Sequence, residues 1–282
     1  MTAPDFVVVG HAVRDLVPGG WRLGGTITFA AMQAHRLGMS VGVVTSAASD
    51  LNVAEQLPFA EVVQAPSLAT TCFENVYHEG HRHQHVRGRA DVIARDTVPA
   101  AWRSAPIVLL GPVFGEIEPG FGTLFDEASL VGVSAQGWLR SLDDEGRVRH
   151  THWDGPPFWN ACDVLFVSDE DLAEARDDLA TWIATVPIVA MTESWKGARV
   201  HSDRRWRRID AFPETEVDPT GAGDTFAAGF LIRLHETSSV EDAARFGAAA
   251  ASLSVGGAGA AAIPSRSEVE ARLRQHPEIG LT

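Results

Sequence analysis

Short β-branched runs alternate along this chain with stretches of helical spacing, and that alternation restricts the fold more than any other feature. Phe6 to Gly10, Val41 to Thr45, Ile107 to Gly111, Leu130 to Ala135, Asp163 to Ser168 and Ile188 to Thr192 read as strands. Between them, Thr26 to Leu37 has helical spacing and stops at Gly38, and Gly120 to Ala128 and Asp169 to Ala184 are predicted helices. Strand-helix-strand order implies an α/β fold with a mostly parallel sheet, covered on both faces and built by right-handed crossovers. Ligands collect at the carboxyl edge of such a sheet, and the first strand delivers His11 and Asp15 there. A chain of 282 residues, 45% hydrophobic, can bury the core this needs, so residues 1–282 are expected to form a single α/β domain.

Two stretches break the rhythm. Thr70 to Val86 is polar and alternating, with Glu79-Gly80 at its middle, and is expected to be a hairpin. With residues 11–24, residues 70–89 are read as a small β lid. His81, His83 and His85 follow a period of two, placing them on one face of a strand. With Arg82, Arg87 and Arg89 they leave three readings open: a metal site, a cationic cover for a phosphate, or an exposed hairpin. Ala198 to Phe212 is a second hairpin, whose Arg204, Arg205, Arg207 and Arg208 read as a solvated face.

A net charge of −14 argues against nucleic acid as the main ligand. Cys72 and Cys162 are too few for a disulfide framework and are expected to be reduced thiols. No apolar run reaches membrane-spanning length, so a cytoplasmic protein without a membrane partner is expected.

The chemistry concentrates in Asp218-Pro219-Thr220-Gly221-Ala222-Gly223-Asp224-Thr225, ahead of the apolar run Phe226 to Leu234. Gly221 and Gly223 permit a tight turn and leave amide N–H groups uncovered, while the following helix aims its positive dipole end at the same place. A phosphate would find an anion hole there, and Asp224 in the first turn is placed to take a proton from an attacking hydroxyl. Helices are predicted at Thr225 to His235, at Val240 to Val255 behind Ser238-Ser239, and after Pro264-Ser265.

The string D-P-T-G-A-G-D-T-F-A-A-G-F closely resembles the C-terminal signature of the PfkB, or ribokinase-like, carbohydrate kinases. The resemblance implies the ribokinase-like fold and an ATP-dependent kinase acting on a hydroxyl of a sugar or polyol. Asp224 would be the catalytic base, and the amides of Gly221, Ala222 and Gly223 would stabilise the phosphoryl group. Gly24-Gly25 and Asp15 match the positions that line the pocket and bind substrate hydroxyls, and Asp50 resembles a further acid at its edge. Thr192, Lys196 and Gly197 match a strand-end loop beside the nucleotide phosphates, together with Thr220, while Ala248 to Ala251 and the Gly256-Gly257 loop would flank adenine. The family's N-x-x-E motif, which organises Mg²⁺ through water, reads Ser168-Asp169-Glu170-Asp171 here; its carboxylates survive and its asparagine does not. The asparagine that sugar-kinase members carry after the glycine pair is replaced by Thr28-Phe29. The strings Thr70 to Glu74, Val133 to Gln136 with Arg140, and Ser168 to Glu170 are similar to the branch containing plant inositol kinases. That similarity makes Glu74, Gln136 and Arg140 candidates for reading a cyclic polyol such as myo-inositol. A nucleoside kinase with Phe29, Phe73 or Phe114 as purine platform, and a nucleotide-binding module with little turnover, are the alternatives. A monovalent cation such as K⁺ and a homodimer through the lid complete the expectations.

Overall fold

The structure, a computed structural model, describes residues 2–78, 81–153, 155, 161–173 and 175–282. In chain order, β1 (Phe6–Val9), β2 (Val13–Val17), β3 (Gly20–Gly24), α1 (Thr26–Arg36), β4 (Val41–Ala47), α2 (Val53–Gln56) and β5 (Ala60–Pro66) come first. They are followed by β6 (Thr71–His78), β7 (His81–Gly88), β8 (Ile107–Leu110), β9 (Leu130–Ser134), β10 (Arg140–Leu142), β11 (Val148–His150) and β12 (Val164–Ser168). The remainder are α3 (Asp178–Thr185), β13 (Ile188–Thr192), β14 (Ala198–Ser202), β15 (Arg205–Ile209), α4 (Ala222–Thr237), α5 (Val240–Ser254) and α6 (Arg266–Gln275).

Nine strands form the main sheet in the order β15-β14-β13-β12-β9-β8-β1-β4-β5. From β13 to β5 every pairing is parallel, and β14 and β15 add an antiparallel edge. Successive residues of a strand face opposite ways, so β1 feeds two cores. Phe6 and Val8 join a cluster with Phe226, Phe230 and Phe246 beneath α1, α4, α5 and α6. Val7 and Val9 join Trp102, Phe121 and Trp182 on the other side. The chain leaves β1 toward β4 and β5 on one side and then crosses to β8 on the other. A crevice for ligands therefore opens where the carboxyl ends of β1 and β8 part.

A second sheet, ordered β3-β2-β6-β7, holds the residues read as the lid and packs through Val13 and Phe73 against Val113 and Phe114, just past β8. His11 is fully buried where the lid joins the body. Its Nε2 donates to the Asp91 carbonyl (2.9 Å), which leaves Nδ1 to accept from the Thr71 hydroxyl (2.7 Å). His11 thus ties together the strands that enter and leave the lid rather than facing a ligand. At the far edge of the lid the Val86 amide bonds the Gly146 carbonyl (3.0 Å), so the turn of the β10–β11 hairpin grips β7 from the body side.

One predicted helix is absent and another is shortened. Only a 3-10 turn, Phe121–Leu124, forms within Gly120 to Ala128. Phe121 and Phe125 have helical spacing and are both buried, but the Asp126 amide turns away to the Arg103 carbonyl and ends the coil. The stretch Asp169 to Ala184 divides into a 3-10 turn, Asp171–Ala173, and α3. There the Ser168 hydroxyl accepts the Asp171 amide (3.0 Å), an alternative partner that tightens the first turn. Elsewhere the predicted caps are present: Ser239 accepts the Asp242 amide, and Ser265 and Glu268 form a capping box.

Candidate active site

At the start of α4, Gly221 adopts φ 79°, and a Cβ at that position would overlap the Phe29 ring of α1. Any other residue there would strain the backbone and displace Phe29. The turn leaves the amides of Gly221, Gly223 and Asp224 without a hydrogen-bond acceptor among the described residues. The Ala222 amide differs from the expectation, since it donates to the Pro219 carbonyl (3.2 Å) and closes the turn instead of facing the cleft. Three free amides at the positive end of a helix of sixteen residues suit an anion with several oxygens.

Asp224 lies in the first turn of α4, and loss of water around its carboxyl pushes the pKa up to about 6. Three neighbours modulate that shift. A hydrogen bond from Thr26 and the positive charge of Arg140 favour the carboxylate, while the charge of Asp171 opposes it. Thr26 is buried at the first position of α1, immediately after Gly25. Its role was missed in the sequence, where the only signal is a hydroxyl residue directly behind the glycine pair. Arg140 reaches the site from the start of β10, with its guanidinium bonded to the Val113 carbonyl (3.2 Å) and standing over the Phe73 ring (5.9 Å).

Asp15 projects from β2 on the face of the lid that carries Phe73, and its carboxylate lies against Gly24 so closely that a Cβ there would overlap it. Gly25, at φ 81°, passes the chain into α1. Asp15 thus meets Gly24, and Gly25 leads into Thr26, which with Arg140 acts on Asp224; Gln136 lies in the turn Ala135–Gly137 after β9.

Asp50 and Glu74 fall elsewhere. Asp50 pairs with Arg14 (2.9 Å) and Glu74 with Arg87 (2.7 Å), and both arrangements belong to the opposite, outer face of the lid. The Arg14 hydrogen bond holds the exposed Asp50 carboxyl below its usual range. Strand alternation is responsible, because Arg14, Leu16, Cys72 and Glu74 are out of phase with Asp15 and Phe73. His85 pairs with Glu74 across β6 and β7, so the register also puts it on that outer face, which removes it from any phosphate beneath the lid. The side chains of His81 and His83, and the turn Glu79-Gly80, lie outside the described residues. Phe29, Phe73 and Phe114 are all buried, with Arg140 over the Phe73 ring and Arg89 over the Phe114 ring.

On the donor side, Ser168 and Thr192 are register partners at the ends of β12 and β13. The Ser168 hydroxyl donates to Asp171 (2.6 Å), whose side chain is buried, whereas Glu170 is exposed. Of Asp169, Glu170 and Asp171, only Asp171 acts on the Asp224 carboxyl. Among the described residues no three His, Cys, Asp or Glu side chains converge to hold a metal by themselves. That donor set suits a hard cation bound mainly by phosphate and water, with Asp171 nearby. Lys196 is exposed and stands over the Trp195 ring (5.7 Å), and Gly197 turns at φ 99°. Thr220 gives its amide to Asp218 (3.0 Å), Ala251 is half-buried on α5, and Gly256 lies against the Glu214 side chain.

Residues 157–266, which include this glycine turn, Asp171 and Thr192, match the pfkB family carbohydrate kinase model. That match marks a PfkB-family carbohydrate kinase domain in this stretch of the chain. Comparisons of the chain with known proteins are consistent in kind but partial in reach. It is 46% identical over 81 residues to a ribokinase of Bacillus subtilis, covering 28% of each chain. It is 34% identical over 133 residues to an inositol 3-kinase of Oryza sativa, covering 43% of this chain and 32% of that one. These alignments span about a third or less of those relatives' length. A pyrophosphate-dependent kinase in the ribokinase family, complexed with a pyrophosphate analog and myo-inositol, superposes with a TM-score of 0.78 at 21% identity, over 95% of this chain and 99% of that one. That superposition shows the ribokinase-like fold of the chain. No helix among the described residues is long and apolar enough to cross a membrane.

Proposed function

We propose that this protein transfers the γ-phosphoryl group of ATP to a hydroxyl of a sugar or polyol, with cyclitols such as myo-inositol in the acceptor class. The observation that carries the reading is Asp224, a desolvated carboxyl with its pKa near 6 beside three free amides at a helix start. A base of that strength is largely ionised at neutral pH and still able to receive a proton as the hydroxyl attacks.

In this reading Asp15 and Gln136 accept or donate to acceptor hydroxyls, and Arg140 holds one more while favouring the charged form of Asp224. Thr26 fixes the carboxylate by its hydrogen bond, and Asp224 takes the proton of the attacking hydroxyl. The amides of Gly221, Gly223 and Asp224 meet the charge on the equatorial oxygens, and Phe29 beneath Gly221 keeps the turn rigid. Mg²⁺, when bound with the donor, would neutralise charge on its phosphates, and Asp171 is the carboxylate that would help hold it. Polar recognition of this kind rejects acceptors lacking a matched hydroxyl more strongly than it rejects a changed methylene. The buried state of Phe29, Phe73 and Phe114 favours a polyol over a purine nucleoside.

Pyrophosphate is the second donor to consider, since a solved structure of the same fold uses it and the amide cradle needs only phosphate oxygens. The deciding experiment measures phosphorylated product from cyclitols, pentoses, hexoses and nucleosides, with ATP or pyrophosphate and Mg²⁺, with and without K⁺. Product with a polyol or sugar and ATP supports the proposal. Product only with nucleosides, or only with pyrophosphate, redirects it, and ATP binding without any product would leave a nucleotide-binding module.

A further inference from the structure

The acceptor-side segment 22–29 touches the glycine motif at three points. Two are buried and fixed: the Thr26 hydrogen bond to Asp224 and the Phe29 ring under Gly221. The third is different in kind. Arg22, on β3 of the lid, extends a guanidinium to Asp218 at 3.5 Å, with 56% of the Arg22 side chain exposed against 21% for Asp218. Asp218 is a junction. One of its oxygens accepts the Thr220 amide (3.0 Å) and the other accepts the Gly259 amide (3.2 Å). Its own amide and that of Val217 both reach the Val255 carbonyl at the end of α5. Asp218 therefore joins the amide cradle to the loop on the donor side, and Arg22 adds the lid.

Arg22 also sits directly across from Asp15 in the β2–β3 pairing, on the same face of the lid. A ligand drawn to Asp15 pulls on the strand pair that carries Arg22. We propose that Arg22 is a positioning residue, a latch that couples closure of the lid over the acceptor to the order of the phosphate cradle through Asp218. The role rests on the kinase reading only in naming the two ligands; the latch itself is a property of the protein without them. Arg22 does not act on the Asp224 carboxyl, whose shift arises from burial, Thr26, Arg140 and Asp171, so it serves geometry rather than proton transfer. A single ion pair half open to solvent limits the coupling to about fivefold.

The first test needs no ligand. Hydrogen exchange of residues 13–24 is followed in the wild type, Arg22→Gln, Arg22→Lys, Asp218→Asn and the Arg22→Gln/Asp218→Asn double variant. Exchange two- to fivefold faster in Arg22→Gln, near wild type in Arg22→Lys, and no faster in the double variant than in Asp218→Asn supports the latch. Unchanged exchange in Arg22→Gln, equal loss in Arg22→Lys, or additive effects in the double variant overturn it. The second test uses whichever acceptor shows turnover. Arg22→Gln should raise the KM of the acceptor and weaken its effect on donor affinity, with the acidic limb of the pH profile unmoved near 6. Movement of that limb would overturn the positioning role. Absence of turnover in the wild type would sink the kinase proposal while leaving the exchange result to decide on Arg22.

Discussion

Replacing Asp224 by asparagine should cripple turnover and stabilise the protein, and the stabilisation should depend on pH in a defined way. The carboxyl is raised from 3.8 to about 6 by burial, so the folded protein holds this proton more tightly than the unfolded chain does. A group of that kind contributes its full stability below about pH 4, and the contribution drains away as pH rises through 6. A shift of about two pKa units corresponds to about 3 kcal/mol lost by pH 8, and to only about 1 kcal/mol lost at pH 4.5. Partial access of water to the cleft makes these upper values. Asparagine keeps the acceptor for the Thr26 hydroxyl and carries no charge, so it escapes the loss. Asp224→Asn should therefore melt several degrees higher than the wild type at pH 8, on the order of 5 °C, with most of the gain gone at pH 4.5. Its turnover should fall about a hundredfold or more, the scale of a lost general base. Calorimetry at the two pH values measures the first effect and initial rates the second. Equal melting gains at both pH values, or none at pH 8, would refute desolvation as the origin of the shift. Retained turnover would refute the assignment of the base.

Because the base must be ionised, kcat/KM should fall with decreasing pH through about 6; Thr26→Val and Arg140→Gln each remove a group that favours the carboxylate, so both should move that limb upward in pH–rate profiles. Gly24→Ala should displace the Asp15 carboxylate and raise the KM of the acceptor several-fold, with the donor KM unchanged in steady-state assays. Asp50→Ala and Glu74→Ala break exposed ion pairs on the outer lid face and should leave both KM values and the melting temperature as they are. Leu16, Trp21 and Val76 expose apolar surface on that same face, so if two copies join through the lid, Trp21→Glu should convert a dimer to a monomer in sedimentation; a wild type that sediments as a monomer would end that idea.

The legible part of this molecule was the part written in period and punctuation. β1, β8, β9, β12 and β13 are continuous apolar runs of four or five residues because both faces are covered, and glycine marks where several of them end. The glycine motif was legible because the turn at Gly221 tolerates no side chain. What escaped was set by partners distant in sequence. The Phe121 and Phe125 spacing mimics a helix, yet the Asp126 amide is claimed by Arg103. β10 and β11 are three residues each, too short for a periodic signal, and they exist through pairing with each other and with the lid edge. Glu74 and Arg14, the partner that draws Asp50 away, owe their face to strand phase, and chemistry alone does not reveal phase. Thr26 and Arg22 were missed for a similar reason, since a threonine after glycines and an arginine near a tryptophan are unremarkable until α4 is set beside them.

The contact of Phe29 with Gly221 binds two distant stretches of the chain into one catalytic floor. Residues near the amino terminus thus shape the ground on which a glycine turn close to the carboxyl terminus must settle. Phe6 and Val8 of the first strand are covered by Phe226, Phe230 and Phe246, so a chain cut short before α4 would lack that core as well as the amide turn. The early and late segments must therefore fold as one unit, with the Gly221 turn seated on Phe29.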